Sequence, residues 1–99
     1  MQVRWTEPAL DDLAAIQNYI AKDSPFYAQQ FIERIFDVAK NLELFPELGR
    51  KVPEASESSE VRELIFQNYR IMYMIDMEQV YIITVIHGSR GLSALKYKF

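Results

Sequence analysis

Cysteine is absent from this chain, and histidine and tryptophan occur once each. The first absence excludes disulfides and thiolate metal sites and agrees with a reducing compartment. With one histidine besides, no zinc centre is expected, and no cofactor motif occurs. No apolar run approaches the ~20 residues needed to span a bilayer. The opening MQVRWTEPAL has neither a basic segment nor an apolar core of signal-peptide type. These features lead to the expectation of a soluble, cytoplasmic protein with no membrane partner.

Positive charge is also scarce: 11 Lys+Arg stand against 14 Asp+Glu, for a net charge of −3. A general nucleic-acid binder relies on lysine and arginine to displace condensed counterions, so this balance fits one poorly. The charge is unevenly placed, however. Residues 1 to 60 hold 6 Lys+Arg against 11 Asp+Glu, whereas residues 61 to 99 hold 5 against 3. An anionic partner would therefore be met locally, by the C-terminal third.

What is present is a core. The chain is 49% hydrophobic and 13% aromatic, which indicates a packed globular fold, and 99 residues suit one domain, residues 1–99. Residues 2 to 5 read as a short strand with Val3 and Trp5 on one side. Thr6 then offers an N-cap hydroxyl, and Pro8 suits a first turn. Leu10, Leu13, Ile16 and Ile20 recur at helical spacing, with Asp11, Asp12, Gln17 and Asn18 on the other side. Ser24-Pro25 restarts the chain as N-cap and first helical residue. The second stripe is Ala28, Phe31, Ile35, Val38, Leu42 and Phe45, so the short connection predicts an antiparallel helical hairpin.

Phe45-Pro46 ends that helix, and residues 46 to 60, rich in proline, serine and acidic side chains, read as an exposed loop. Residues 61 to 66, 69 to 76 and 80 to 87 are β-branched, aromatic and methionine-rich, separated by a few polar positions, and predict an antiparallel meander. In the middle strand Tyr69, Ile71, Tyr73 and Ile75 share one face, and Arg70, Met72, Met74 and Asp76 the other. In the last, Tyr81, Ile83, Val85 and His87 oppose Val80, Ile82, Thr84 and Ile86. One apolar face is expected to pack on the hairpin and the other to remain available to a partner. The order β-α-α-β-β-β gives an α+β, two-layer domain with the N-terminal hairpin on a mainly antiparallel sheet.

Taken in order, W-T-x-x-A-x-x-D-L, Y-I-A-x-D-S-P, F-P-E-L-G-R-x-V-P-E, R-E-L, Y-R-I-M-Y-x-I and V-I-H-G-S-R-x-L resemble the ParE/RelE superfamily of type II toxin-antitoxin toxins, from about Trp5 to Leu92. The resemblance is closest to the ParE, or plasmid-stabilisation, branch. It implies a RelE/ParE-like fold and a growth-arresting toxin. A cognate antitoxin would wrap and neutralise it in a hetero-oligomer. Two activities diverge within the superfamily, so fold alone does not choose between them. ParE-like members inhibit DNA gyrase and show no nuclease chemistry, whereas RelE-like members cleave mRNA on the ribosome. A third role is that of a degenerate toxin acting mainly as antitoxin partner and co-repressor.

RNA cleavage needs a base for the 2′-hydroxyl, an acid for the leaving oxygen, and cations for the phosphate. Glu54 would be the base, His87 the acid, and Arg62, Arg70 and Arg90 the phosphate contacts. Arg70 and Arg90 fall where the resemblance places arginines of the ribonucleases. The lysines expected before the strand leucine fall at Val61 and Glu63, which favours the gyrase-binding alternative. For that alternative Arg62, Arg70, His87 and Arg90 are target-binding candidates.

Each candidate has a plainer reading. His87 closes a strand before a glycine and suits a structural role. Arg70, amid apolar neighbours, reads as an ion-pair partner of Glu63 or Asp76, since an interior arginine needs a counter-charge. Glu54 reads as solvated loop surface, while Arg62 and Arg90, near strand ends, are expected to reach outside partners. The Gly49-Arg50-Lys51 triplet either contacts a partner or solvates its loop. Tyr69, Tyr73 and Tyr81 are read as core or sheet surface rather than a base-stacking platform. The basic-aromatic tail at 96 to 99 is a candidate effector surface.

Overall fold

The computed structural model describes residues 1–88, so Arg90 and the tail at 96 to 99 lie outside the described residues. Among the described residues, two helices lie against one five-stranded sheet. In chain order these are β1 (Gln2–Trp5), α1 (Glu7–Ala21), α2 (Pro25–Lys40), a 3-10 turn at Asn41–Glu43, β2 (Arg50–Lys51), β3 (Arg62–Phe66), β4 (Tyr69–Asp76) and β5 (Gln79–His87). The sheet order is β1-β5-β4-β3-β2, with β1 parallel to β5 and the other pairs antiparallel.

Both helix starts follow from their caps. The Thr6 hydroxyl accepts from the Ala9 N–H and donates to the Ile82 carbonyl at 2.7 Å, so one side chain caps α1 and ties it to β5. Ser24 accepts from the Tyr27 N–H, with Pro25 next in the first turn of α2. Leu13, Ile16, Phe31, Ile35, Ala39 and Leu42 then close on Leu64, Ile71, Tyr73, Val80, Ile82 and Val85. Two stripe residues fall outside this core. Leu10 is 46% exposed because Ala9 takes the inward position in the first turn, and Phe45 is 62% exposed because the helix has given way to the 3-10 turn.

The regular alternation expected in the last strand is broken. Tyr73 pairs with Ile82 but Met72 pairs with Thr84, leaving Ile83 as the extra residue of a bulge. Past it the inward set changes from Val80 and Ile82 to Val85, while Ile83 and Ile86 join the opposite face. Asp12, assigned to the solvent side by periodicity, is half-buried at this point. Its carboxylate accepts from the Thr84 hydroxyl at 2.5 Å and the Val85 N–H at 3.1 Å, satisfying groups next to the bulge.

The face turned away from the helices is not left open. Val52, Val61, Met72 and Ile86 form a second apolar cluster, with Ala55, Met74 and Ile83 packed on it. The segment between β2 and β3 therefore folds over this face, and residues 46 to 60 are not the uninterrupted loop expected, because Arg50–Lys51 pair with β3 as β2. Gly49 permits the close approach. A Cβ there would lie 2.6 Å from the Glu63 carbonyl oxygen and 2.7 Å from the Tyr73 ring. The Gly49 N–H donates to the Tyr73 hydroxyl at 2.8 Å, and that hydroxyl donates to the Pro46 carbonyl at 2.8 Å.

Two-residue turns close both hairpins. Phe66 pairs with Tyr69 around Gln67-Asn68, and Asp76 with Gln79 around Met77-Glu78. Gln67, Met77 and Glu78 have φ of 52°, 47° and 62°, so these turns adopt left-handed conformations without glycine.

Candidate functional site

Glu63 and Arg70 share the face beneath the β2–β3 segment, brought together by the hairpin register, in which Glu63 pairs with Met72 and Ile65 with Arg70. Arg70 Nε donates to Glu63 Oε1 at 2.7 Å. Its Nη1 and Nη2 donate to Glu54 Oε2 and Oε1 at 2.6 and 2.8 Å, a bidentate fork. The other oxygen of Glu63 accepts from Arg50 Nε at 2.8 Å. Four charges thus form one chain, Arg50–Glu63–Arg70–Glu54, running from β2 through β3 and β4 to the covering segment.

Burial differs sharply along it. The Glu63 side chain has no exposed area, Arg70 retains 6%, Glu54 37% and Arg50 61%. The Arg70 fork holds the Glu54 carboxyl below the usual carboxylate range against a smaller opposing effect of burial. Glu54, and less strongly Glu63, push the Arg70 guanidinium further toward its charged form. Tyr73 shifts the other way: burial raises its phenol above the ordinary range, with the Gly49 N–H offsetting part of that. Among the described residues, no buried side-chain nitrogen or oxygen lacks a hydrogen-bond partner.

An open cavity of about 500 Å³ lies where the β3–β4 turn meets the end of β5. Arg50, Glu54, Ile65, Tyr69, Arg70 and His87 are among the residues that line it. His87 is exposed, pairs with Tyr69 across the strands, and meets that ring edge-on at 5.5 Å. Tyr69 in turn packs edge-on against Phe31 of α2 at 5.4 Å, so the histidine rests on an aromatic stack rooted in the core.

Of the residues singled out from sequence, Glu54, Arg70 and His87 therefore meet around one cavity. Arg62 does not line it: its Nη1 donates to the Gly49 carbonyl at 2.7 Å, bracing the β2 edge rather than reaching outward. Glu63 is the expected partner of Arg70, but the second is Glu54, not Asp76, because Asp76 ends β4 beside Gln79. Glu54 is thus not simple solvated surface, and Arg50 is not simple loop solvation. Sequence reasoning missed the Glu54 and Arg50 pairings, since neither follows from strand alternation. Tyr73 is core, whereas Tyr69 and Tyr81 are half-buried. Among the described residues no three His, Asp or Glu side chains gather to hold a metal ion, and no helix is long and apolar enough to cross a membrane.

These features can be set beside known proteins. The family model for the ParE toxin of the type II toxin-antitoxin system parDE matches residues 3–92. Toxin RelE2 of Caulobacter vibrioides is 37% identical over 90 residues, spanning 90% of this chain and 97% of that protein. Among solved structures, the chromosomal ParDE system from P. aeruginosa aligns with a TM-score of 0.74 at 24% identity, over 88% of this chain and 95% of the other. The RelBE2 toxin-antitoxin complex of Mycobacterium tuberculosis aligns with a TM-score of 0.61 at 26% identity, over 87% and 95%. With the two-helix, five-strand architecture matched over most of its length, the chain belongs to the ParE/RelE superfamily, as a ParE-family toxin of a type II toxin-antitoxin system.

Proposed function

We propose that this toxin acts in the cytoplasm by binding and inhibiting DNA gyrase, and that a cognate antitoxin neutralises it. The observation that carries the reading is the state of Arg70. Its Nε and both Nη nitrogens already donate to carboxylates, so a scissile phosphate brought to Arg70 would meet the like charge of Glu54 and Glu63 beside it. Glu54, held below the usual carboxylate range, is correspondingly a weak base toward a ribose hydroxyl. A binding surface needs no proton transfer.

Purified toxin without antitoxin, incubated with gyrase, ATP and relaxed plasmid, is expected to abolish supercoiling or to trap cleaved DNA. Intact gyrase activity with folded protein that still arrests growth would sink the reading. A peptide carrying the antitoxin's C-terminal segment should raise the thermal midpoint as its concentration exceeds its Kd, because it binds only the folded toxin.

The second reading, ribosome-dependent mRNA cleavage, draws on the meeting of Glu54, Arg70 and His87 around one cavity. It predicts that His87→Ala lowers cleavage by about 10² to 10⁴. On the gyrase reading the same variant cleaves no less than wild type, since there is no cleavage to lose.

A further inference from the structure

At the cavity at the end of the sheet, an arginine fork is met by a side chain of the chain's own covering segment. The floor of the cavity is Arg70, and among the described residues Glu54 is the one acidic residue lining it. The two carboxylates on Arg70 are unlike each other. Glu63 lies sealed beneath the covering segment between two guanidinium groups, whereas Glu54 enters from that segment, retains 37% of its side-chain exposure and takes the outward fork. Most of the neighbouring residues 53 to 58 are exposed. Glu54 can therefore leave without disturbing the inner pair.

We infer that Glu54 is an intramolecular stand-in, and that an acidic side chain from the toxin's protein partner takes its place on Arg70. This rests on the binding reading above and identifies the chemistry of the contact. With Glu54 withdrawn, the Arg70 fork faces the cavity without the carboxylate that now meets it. The seat already accommodates the planar, bidentate geometry of a carboxylate, at 2.6 and 2.8 Å. Ile65, 55% exposed, offers apolar surface for the methylenes of a glutamate, and the exposed Arg50 and His87 also line the cavity.

A competitor closed about nine-tenths of the time or more lowers the apparent affinity for an outside carboxylate at least tenfold. The test titrates full-length wild type, Glu54→Ala and Arg70→Lys with N-acetylglutamine's acidic counterpart blocked as the amide, N-acetylglutamic acid α-amide, and separately with inorganic phosphate. Binding is read from the arginine side-chain NMR signals. The blocked glutamate should bind Glu54→Ala at least tenfold more tightly than wild type and should not bind Arg70→Lys, which keeps the charge but lacks the fork. Equal affinity for wild type and Glu54→Ala, absence of binding to the folded variant, or binding retained by Arg70→Lys would overturn the inference. Preference for phosphate over carboxylate would overturn it as well, pointing to nucleic acid. Glu54→Gln, which conserves shape, serves the same comparison if the alanine variant does not fold. Gyrase takes no part in the titration, so failure here is distinct from failure of the supercoiling assay.

Discussion

Glu54 and Glu63 hold the same guanidinium at nearly the same distances, yet their replacement should differ severalfold in cost. Glu63→Gln leaves an amide with one acceptor oxygen between two guanidinium groups. If that oxygen serves Arg70, the amino group faces Arg50 Nε, donor against donor. Because the side chain is wholly buried, water cannot relieve the mismatch, and removing one partner of a buried pair costs about 3 to 5 kcal/mol. Glu54 continues to serve Arg70, so the lower end, about 3 kcal/mol, is the expectation. Glu54→Gln also loses a charged hydrogen bond, but at a site 37% open to solvent, which reduces the loss to about 1 kcal/mol. At a urea slope of roughly 1.5 kcal/mol/M, the midpoints should fall by about 2 M and about 0.7 M. Trp5 fluorescence provides one probe and far-ultraviolet circular dichroism a second. Raising salt from about 0.05 to 1 M should shrink the Glu54 effect and leave most of the Glu63 effect, since screening acts on exposed charge. Equal midpoint shifts for the two variants, or equal salt sensitivity, would refute the reasoning from burial.

Tyr73→Phe strands the Gly49 N–H and the Pro46 carbonyl and should cost about 1 to 3 kcal/mol, whereas Gly49→Ala, with backbone oxygen 2.6 Å from the new methyl, should cost about 2 to 3 kcal/mol; urea midpoints check both. The Glu54 carboxyl is depressed in the folded state, so its stabilisation is complete above its ordinary value of about 4.5 and is lost as pH falls through the folded-state pKa. The Tyr73 phenol is raised, so its contribution is complete below its ordinary value of about 10 and is lost as pH rises through the folded-state pKa. Urea midpoints against pH should therefore decline at both ends, with Tyr73→Phe flattening the alkaline limb and Glu54→Gln the acid one. Replacing Met77-Glu78 by Asn-Gly relieves two left-handed residues and should stabilise by about 1 to 2 kcal/mol, read as a rise in thermal midpoint.

Local rules made most of the fold legible. Thr6 and Ser24, each set just before a proline-containing first turn, mark both helix starts, and β4 falls on residues 69 to 76 as expected. Where tertiary contacts decide, the pattern misleads. Ile83 belongs to an unbroken alternation in sequence, and only the pairing of β4 with β5 reveals the extra residue. Asp12 looks like solvent surface on a helical wheel because its partners, Thr84 and the Val85 N–H, lie 72 and 73 residues away. Likewise the second apolar face suggests an open docking surface until Val52 and Ala55 are seen to cover it.

The candidate site divides along the same line. Glu63 and Arg70 were a foreseeable pair, since a two-residue turn fixes the register and places them diagonally on one face. Glu54 arrives from a segment with no period, so nothing in its neighbours distinguishes a solvated carboxylate from one locked on a buried guanidinium. That distinction bears directly on function. An acid, a base and arginines constitute the same inventory whether a site cleaves RNA or closes the back of a sheet. In this toxin two carboxylates already engage the central arginine, and one of them also anchors the covering segment, so a carboxylate that takes the place of Glu54 on Arg70 must also loosen residues near Glu54. A ligand that bound there without altering hydrogen exchange in residues 53 to 58 would break that linkage.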